Sequence, residues 1–239
     1  MSAIYNFFNA MPYLKNFNIH SFLVSLVIFA FLSPLLCVMS KKVITYRKKE
    51  DKDTLSKNGK TIIHIISCLL FSIYSAAVSS MRFNITEWKS PENSEAMLLI
   101  LIIAVSVIIM ITDARVRIIP NVLLLVLLFM MTLYKIIKCD YMSIPVGFGY
   151  LIGMMLLVIG MTKMFGYGNS FGAGDIKFLS VAAYLCIYEL IVPLLLGLAV
   201  AQIIISFTLL LMKKATLKSM IPFGPAISIG LMTACLFIH

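Results

Sequence analysis

Charge is what this chain has least of. Only 13% of its 239 residues are Asp, Glu, Lys or Arg, about half the share that soluble domains carry. Together with 61% hydrophobic residues and a mean hydropathy of +1.02, that scarcity excludes a water-soluble enzyme, a disordered tail and a fibrous repeat. Cysteine is sparse and scattered: Cys37, Cys68, Cys139, Cys186 and Cys235 form no Cys-x-x-Cys pair, which argues against a zinc ribbon or a dithiol redox motif. His20 and His239 stand without neighbouring acids or cysteines, so no metal site is expected. His64 lies in an apolar run and reads as a packed or interhelical hydrogen-bonding residue. Residues 1–18 lack the order of basic start, apolar run and small-residue cleavage site, so no cleaved signal peptide is expected.

What the chain has instead is long apolar runs. They lie at Ile19–Met39, Thr61–Met81, Met97–Thr112, Ile118–Ile137, Ser143–Met161, Ile176–Ile187, Leu190–Met212 and Met220–Ile238. At about 20 residues per span they predict an all-α, polytopic membrane protein with about eight transmembrane helices. Residues 1–96 make an N-terminal two-helix region with a short basic loop. Residues 97–239 make a six-helix core.

The Lys and Arg residues set the orientation. If the Ser40–Lys60 segment is cytoplasmic, its side of the membrane also holds Arg115, Arg117, Lys163, Lys177, Lys213, Lys214 and Lys218. The other side holds Lys15, Arg82, Lys89, Lys135 and Lys138. Both termini then lie outside. Asp113 and Asp175 share the cytoplasmic face. The basic segment reads as a topology determinant that also meets anionic lipid head groups, and nucleic acid is not an expected partner.

Ionisable groups at membrane depth are expensive and usually functional. Asp113 ends one apolar run, and Asp175 follows the Gly-rich turn Gly172-Ala173-Gly174. Each has a structural explanation: a salt bridge to Arg115 or Arg117 for Asp113, a helix N-cap for Asp175. As a pair on one face they suggest more. Two carboxylates that approach closely do not both ionise. The ionised one takes a proton from water, which attacks an amide carbonyl; the protonated one binds the carbonyl oxygen and then protonates the departing nitrogen. Glycines at 172 and 174 let backbone come close.

Three segments in order resemble the type IV prepilin peptidase family, the Gly-x-Gly-Asp aspartyl proteases of bacterial membranes. They are the Asp113 segment, running to Ile119-Pro120-Asn121; Gly172-Ala173-Gly174-Asp175-Ile176-Lys177; and Ile221-Pro222-Phe223-Gly224-Pro225-Ala226. The resemblance covers about residues 97–239. It implies a multi-pass protein of the bacterial inner membrane that cuts the short basic leader from prepilins or pseudopilins, on the cytoplasmic side. Asp113 and Asp175 would be the catalytic pair. Gly172, Gly174, Lys177, Pro120, Asn121, Pro222, Gly224 and Pro225 would be motif or substrate-binding positions. The partners implied are the prepilin or pseudopilin substrate and the bilayer, with oligomeric state open. No cofactor is implied for peptidase chemistry.

The N-terminal third departs from the family pattern. Many members hold zinc on Cys-x-x-Cys pairs in the first cytoplasmic loop, and Ser40–Lys60 contains no Cys. Many also methylate the new N-terminus with S-adenosylmethionine, an activity associated with that region, and here it stays open. The chain reads as a reduced or divergent member, with Ser33-Pro34 at best a remnant of the N-terminal signature. The other readings are a presenilin-type Gly-x-Gly-Asp protease, against which Pro120-Asn121 argues, and a non-catalytic transporter or assembly component whose acids bind a cation or proton.

Overall fold

The computed structural model describes residues 19–47, 57–82, 91–164, 172–211 and 222–238. Lys15, Trp88, Lys89, Phe171, Ile221, Lys213, Lys214, Lys218 and His239, and the middle of the basic loop, lie outside them. The described chain forms eight α-helices and no strand: α1 (Ile19–Arg47), α2 (Lys57–Arg82), α3 (Pro91–Val116), α4 (Asn121–Ile137), α5 (Ser143–Met164), α6 (Ala173–Leu185), α7 (Ile191–Leu211) and α8 (Gly224–Phe237). A 3-10 turn, Tyr188–Leu190, joins α6 to α7.

Each apolar run has its helix, but the ends move. α1 continues through the start of the basic segment to Arg47, and α3 begins at Pro91, six residues ahead of the apolar run at Met97. Charged residues at a helix end cost little once the apolar part is anchored, so polarity alone misplaces the boundary. Among the described residues, five helices (α1, α2, α3, α5 and α7) are long and apolar enough, by length and composition, to cross a bilayer. α4 has 17 residues, α8 has 14 and α6 has 13. At 1.5 Å per residue, α6 and α8 reach only about 20 Å, against about 30 Å of hydrocarbon. The runs of α4 and α8 are longer than their helices, with Ile118–Pro120 and Pro222–Phe223 spent on connections, whereas α6 starts three residues before its run and stops short of Cys186–Ile187.

α3 is the core helix. Leu99, Ile102, Ile103, Ile109 and Ile111 are fully buried, and α3 packs against α1, α2, α4 and α8. α1, α5 and α7 instead turn apolar side chains outward, among them Phe31, Leu35, Leu156, Ile203 and Phe207. An exposed apolar band of this extent needs lipid, not water, around it. The chain is a multi-pass membrane protein.

Buried hydroxyls are accommodated locally. Ser72 donates to Cys68 O at 2.8 Å, Ser80 to Ala77 O at 2.9 Å and Ser106 to Ile102 O at 2.8 Å, the back-bonding that keeps Ser tolerable in an apolar helix. Ser228 bridges helices, donating to Ser106 O on α3 and to Gly224 O on its own helix, each at 3.0 Å.

Lys135 has a structural role that its sequence does not announce. Grouped by sequence with the charges of the outer face, it is buried at 4% exposure. Its Nζ donates to Ser143 O at the start of α5 and to Tyr184 O near the end of α6, both at 2.8 Å, and sits 4.2 Å from the Tyr184 ring centroid. A Cβ on Gly147 would come within 2.8 Å of Tyr184 O, so glycine is what admits this close approach of α5 to α6. Lys135 ties three helices together at the end opposite the two aspartates. Lys135→Met, of similar length, takes away the donor that both carbonyls share. Unfolding in detergent should lose on the order of 2 kcal/mol or more.

Candidate active site

Four helix ends meet where the sequence motifs lie. Asp113 is in the last turn of α3, Pro120 precedes α4, Asp175 is in the first turn of α6, and Gly224 opens α8. The chain reverses sharply after α3. The Arg117 N–H bonds Asp113 O at 2.8 Å, and Arg117 takes a positive φ of 55°. The turn leads to Ile119 and to Pro120, whose φ of −68° suits its place as the N-cap of α4, with Asn121 the first helical residue.

Asp113 is buried at 4% exposure. Its Oδ2 accepts a hydrogen bond from the Gly224 backbone N–H at 3.0 Å. That N–H is one of the donors a helix leaves unpaired in its first turn, and the positive end of α8 favours a carboxylate there. A Cβ on Gly224 would lie 2.6 Å from Asp113 Oδ2, so glycine is required for the approach. Pro225 follows in the first turn and gives up no hydrogen bond there. Pro222 lies just ahead of the helix.

Asp175 is not the N-cap. Gly172 holds that place, and Asp175 is the third helical residue. Its carboxylate reaches back to accept the Gly172 N–H, the acidic half of a capping box. No described residue bonds its Oδ1, which is buried. A Cβ on Gly174 would meet Ile119 Cβ at 3.2 Å, so the turn after α3 packs on the start of α6. This contact brings Asp175 near enough for its charge to act on Asp113.

The remaining site positions divide. Lys177 is exposed, with Nζ 3.5 Å from Asn121 Oδ1, so these two motif residues meet each other at the rim. Arg115 turns away from Asp113: its Nη1 lies 3.3 Å from His64 Nε2 on α2. His64 therefore makes the interhelical hydrogen bond expected of it. A small apolar cleft lies at this end of the helices, lined by Val43 and Ile44 of α1, Thr112 and Val116 of α3, and Ile118 and Pro120 of the turn. Sequence reading named none of the α1 residues, because nothing in a chain of apolar residues says which of them meet the end of α3.

Comparison with known proteins fits this placement. No curated protein and no solved structure matches the chain. A family model does match, that of the type IV leader peptidase family, over residues 100–213. The matched stretch contains both aspartates and the Gly-rich turn; Gly224 lies beyond it. The stretch that carries both aspartates is thus similar to the type IV leader peptidase family.

Proposed function

We propose that this protein is a prepilin leader peptidase. It cuts the short basic leader from type IV prepilin-like or pseudopilin precursors at the cytoplasmic face of the membrane. The observation that carries this reading is the convergence of two carboxylates, from α3 and from the Gly-rich start of α6, inside a region that matches leader peptidases.

The chemistry follows from the pair. One carboxylate takes a proton from water as the water oxygen bonds to the scissile carbonyl carbon. The other, protonated, donates to the carbonyl oxygen, and a proton then passes to the departing nitrogen as the C–N bond breaks. The two acids share one proton between them, so their titration belongs to the pair. The Gly224 N–H holds Asp113 Oδ2 in place, which fixes one carboxylate before substrate arrives.

The test is side-specific cleavage. A precursor with a basic leader and an apolar helix, added to inverted inner-membrane vesicles containing the protein, should be cut once, between leader and helix. The same precursor added to right-side-out vesicles should remain whole. Equal cutting in both, or in neither, overturns the reading. Mass measurement of the product after incubation with S-adenosylmethionine shows in the same experiment whether the new N-terminus gains a methyl group.

A further inference from the structure

α1 and α2 carry a thiol pair that the peptidase chemistry does not use. Cys37 Sγ and Cys68 Sγ lie 3.5 Å apart across the α1–α2 contact. They are 31 residues apart in the chain and both half-buried. Among the described residues no group of three metal-binding side chains includes them. Arg115 occupies Nε2 of His64, one turn from Cys68, so a cation is poorly placed there. Two sulfurs in contact on separate helices, with no ligand to hold, are suited to a disulfide.

The place of the pair gives the bond a consequence. Pro34 sits inside α1, one turn before Cys37. It has no N–H for Ala30 O, and the Ser33 hydroxyl bonds that carbonyl instead at 2.8 Å. A helix bends at least cost at such a point. The part of α1 beyond Pro34 carries Cys37, and then Val43 and Ile44, which line a cleft together with Thr112, the chain neighbour of Asp113, and the turn at Ile118 and Pro120. Hinge, thiol and cleft wall therefore lie in that order along one helix.

We propose that Cys37 and Cys68 are an oxidation-sensitive clasp, forming an intramolecular disulfide that fastens the part of α1 beyond Pro34 to α2 and slows leader cleavage. A reducing cytosol keeps the thiols apart at rest, and a peroxide closes the clasp. One sulfur attacks the peroxide: an S–O bond forms, the O–O bond breaks and water leaves, giving a sulfenic acid. The second sulfur attacks the first, an S–S bond forms, the S–O bond breaks and a second water leaves. Two thiols are oxidised and one peroxide is reduced to two waters. The slowing of cleavage rests on the peptidase reading; formation of the bond does not.

The experiment uses full-length protein in membranes, treated with hydrogen peroxide and then with dithiothreitol. Non-reducing digestion and mass spectrometry should find a peptide linking Cys37 to Cys68 within one molecule, absent from Cys37→Ser. Leader cleavage should fall at least fivefold on oxidation of the wild type, recover with dithiothreitol, and stay unchanged in Cys37→Ser. Both thiols still open to alkylation after oxidation, or a link formed only between molecules, overturns the clasp. A linked protein that cuts at the reduced rate overturns its control of cleavage. If the reduced protein cuts no precursor at all, the peptidase reading has failed, and the linked peptide still reports on the bond.

Discussion

Asp113→Asn and Asp175→Asn should each reduce leader cleavage by about a thousandfold or more, without loosening the protein. General acid–base groups typically contribute 10²- to 10⁴-fold each, and in a pair that works as a unit the loss of either member removes nearly all of it. Asparagine is the right probe. Its amide oxygen can still accept the Gly224 N–H at position 113 and the Gly172 N–H at position 175, so the bonds that hold the site survive. What disappears is the capacity to take and give a proton. The measurement is the rate of leader release, by mass spectrometry, from a precursor in membranes holding equal amounts of each variant. Thermal unfolding in detergent is the control and should shift little. Cleavage within threefold of wild type by either variant would end the two-carboxylate mechanism. A transporter using its acids to bind a cation would show no cleavage to lose.

The parts of this protein legible from sequence are those whose physics is one-dimensional. A bilayer forces backbone groups to pair within a segment, so an apolar run reads directly as a helix. Asp113 and Asp175 stand out because acids are so few. The Pro and Gly of the third segment stand out because each has a backbone reason to open a helix. Boundaries were less legible. Arg47 and Pro91 belong to helices although their neighbours are polar, and α4 and α8 are shorter than their apolar runs. Contacts between helices were least legible. Arg115 looked like a partner for Asp113 because it is two residues away, but a helix turns such neighbours to different sides, and Arg115 meets His64 on α2. Lys135 was read only as a charge of the outer side, and it is a buried anchor for two carbonyls. The Cys37–Cys68 contact joins two apolar stretches that carry no signal of pairing.

The geometry around Asp113 gives the second large effect, at a residue that does no proton transfer. Gly224→Ala should lower leader cleavage about a hundredfold while leaving expression and membrane insertion intact. The added methyl would stand 2.6 Å from Asp113 Oδ2, 2.8 Å from Cγ and 2.9 Å from Cβ. Those are three atoms of one buried side chain at the end of the most buried span, so no flexible tip can swing aside. Either the carboxylate turns away or α8 backs off from α3. In both cases the 3.0 Å bond from the Gly224 N–H is lost, and a displacement near 1 Å costs about 10²-fold in rate. Ser228→Ala provides the comparison. It removes the hydroxyl that ties α8 to Ser106 O on α3 one turn further along, touching the same helix contact without touching Asp113. It should cost less than about threefold in cleavage. If Ser228→Ala falls as far as Gly224→Ala, general packing of α3 on α8 is what matters. If Gly224→Ala cuts like wild type, the close approach of that backbone to Asp113 is not what holds the carboxylate for catalysis.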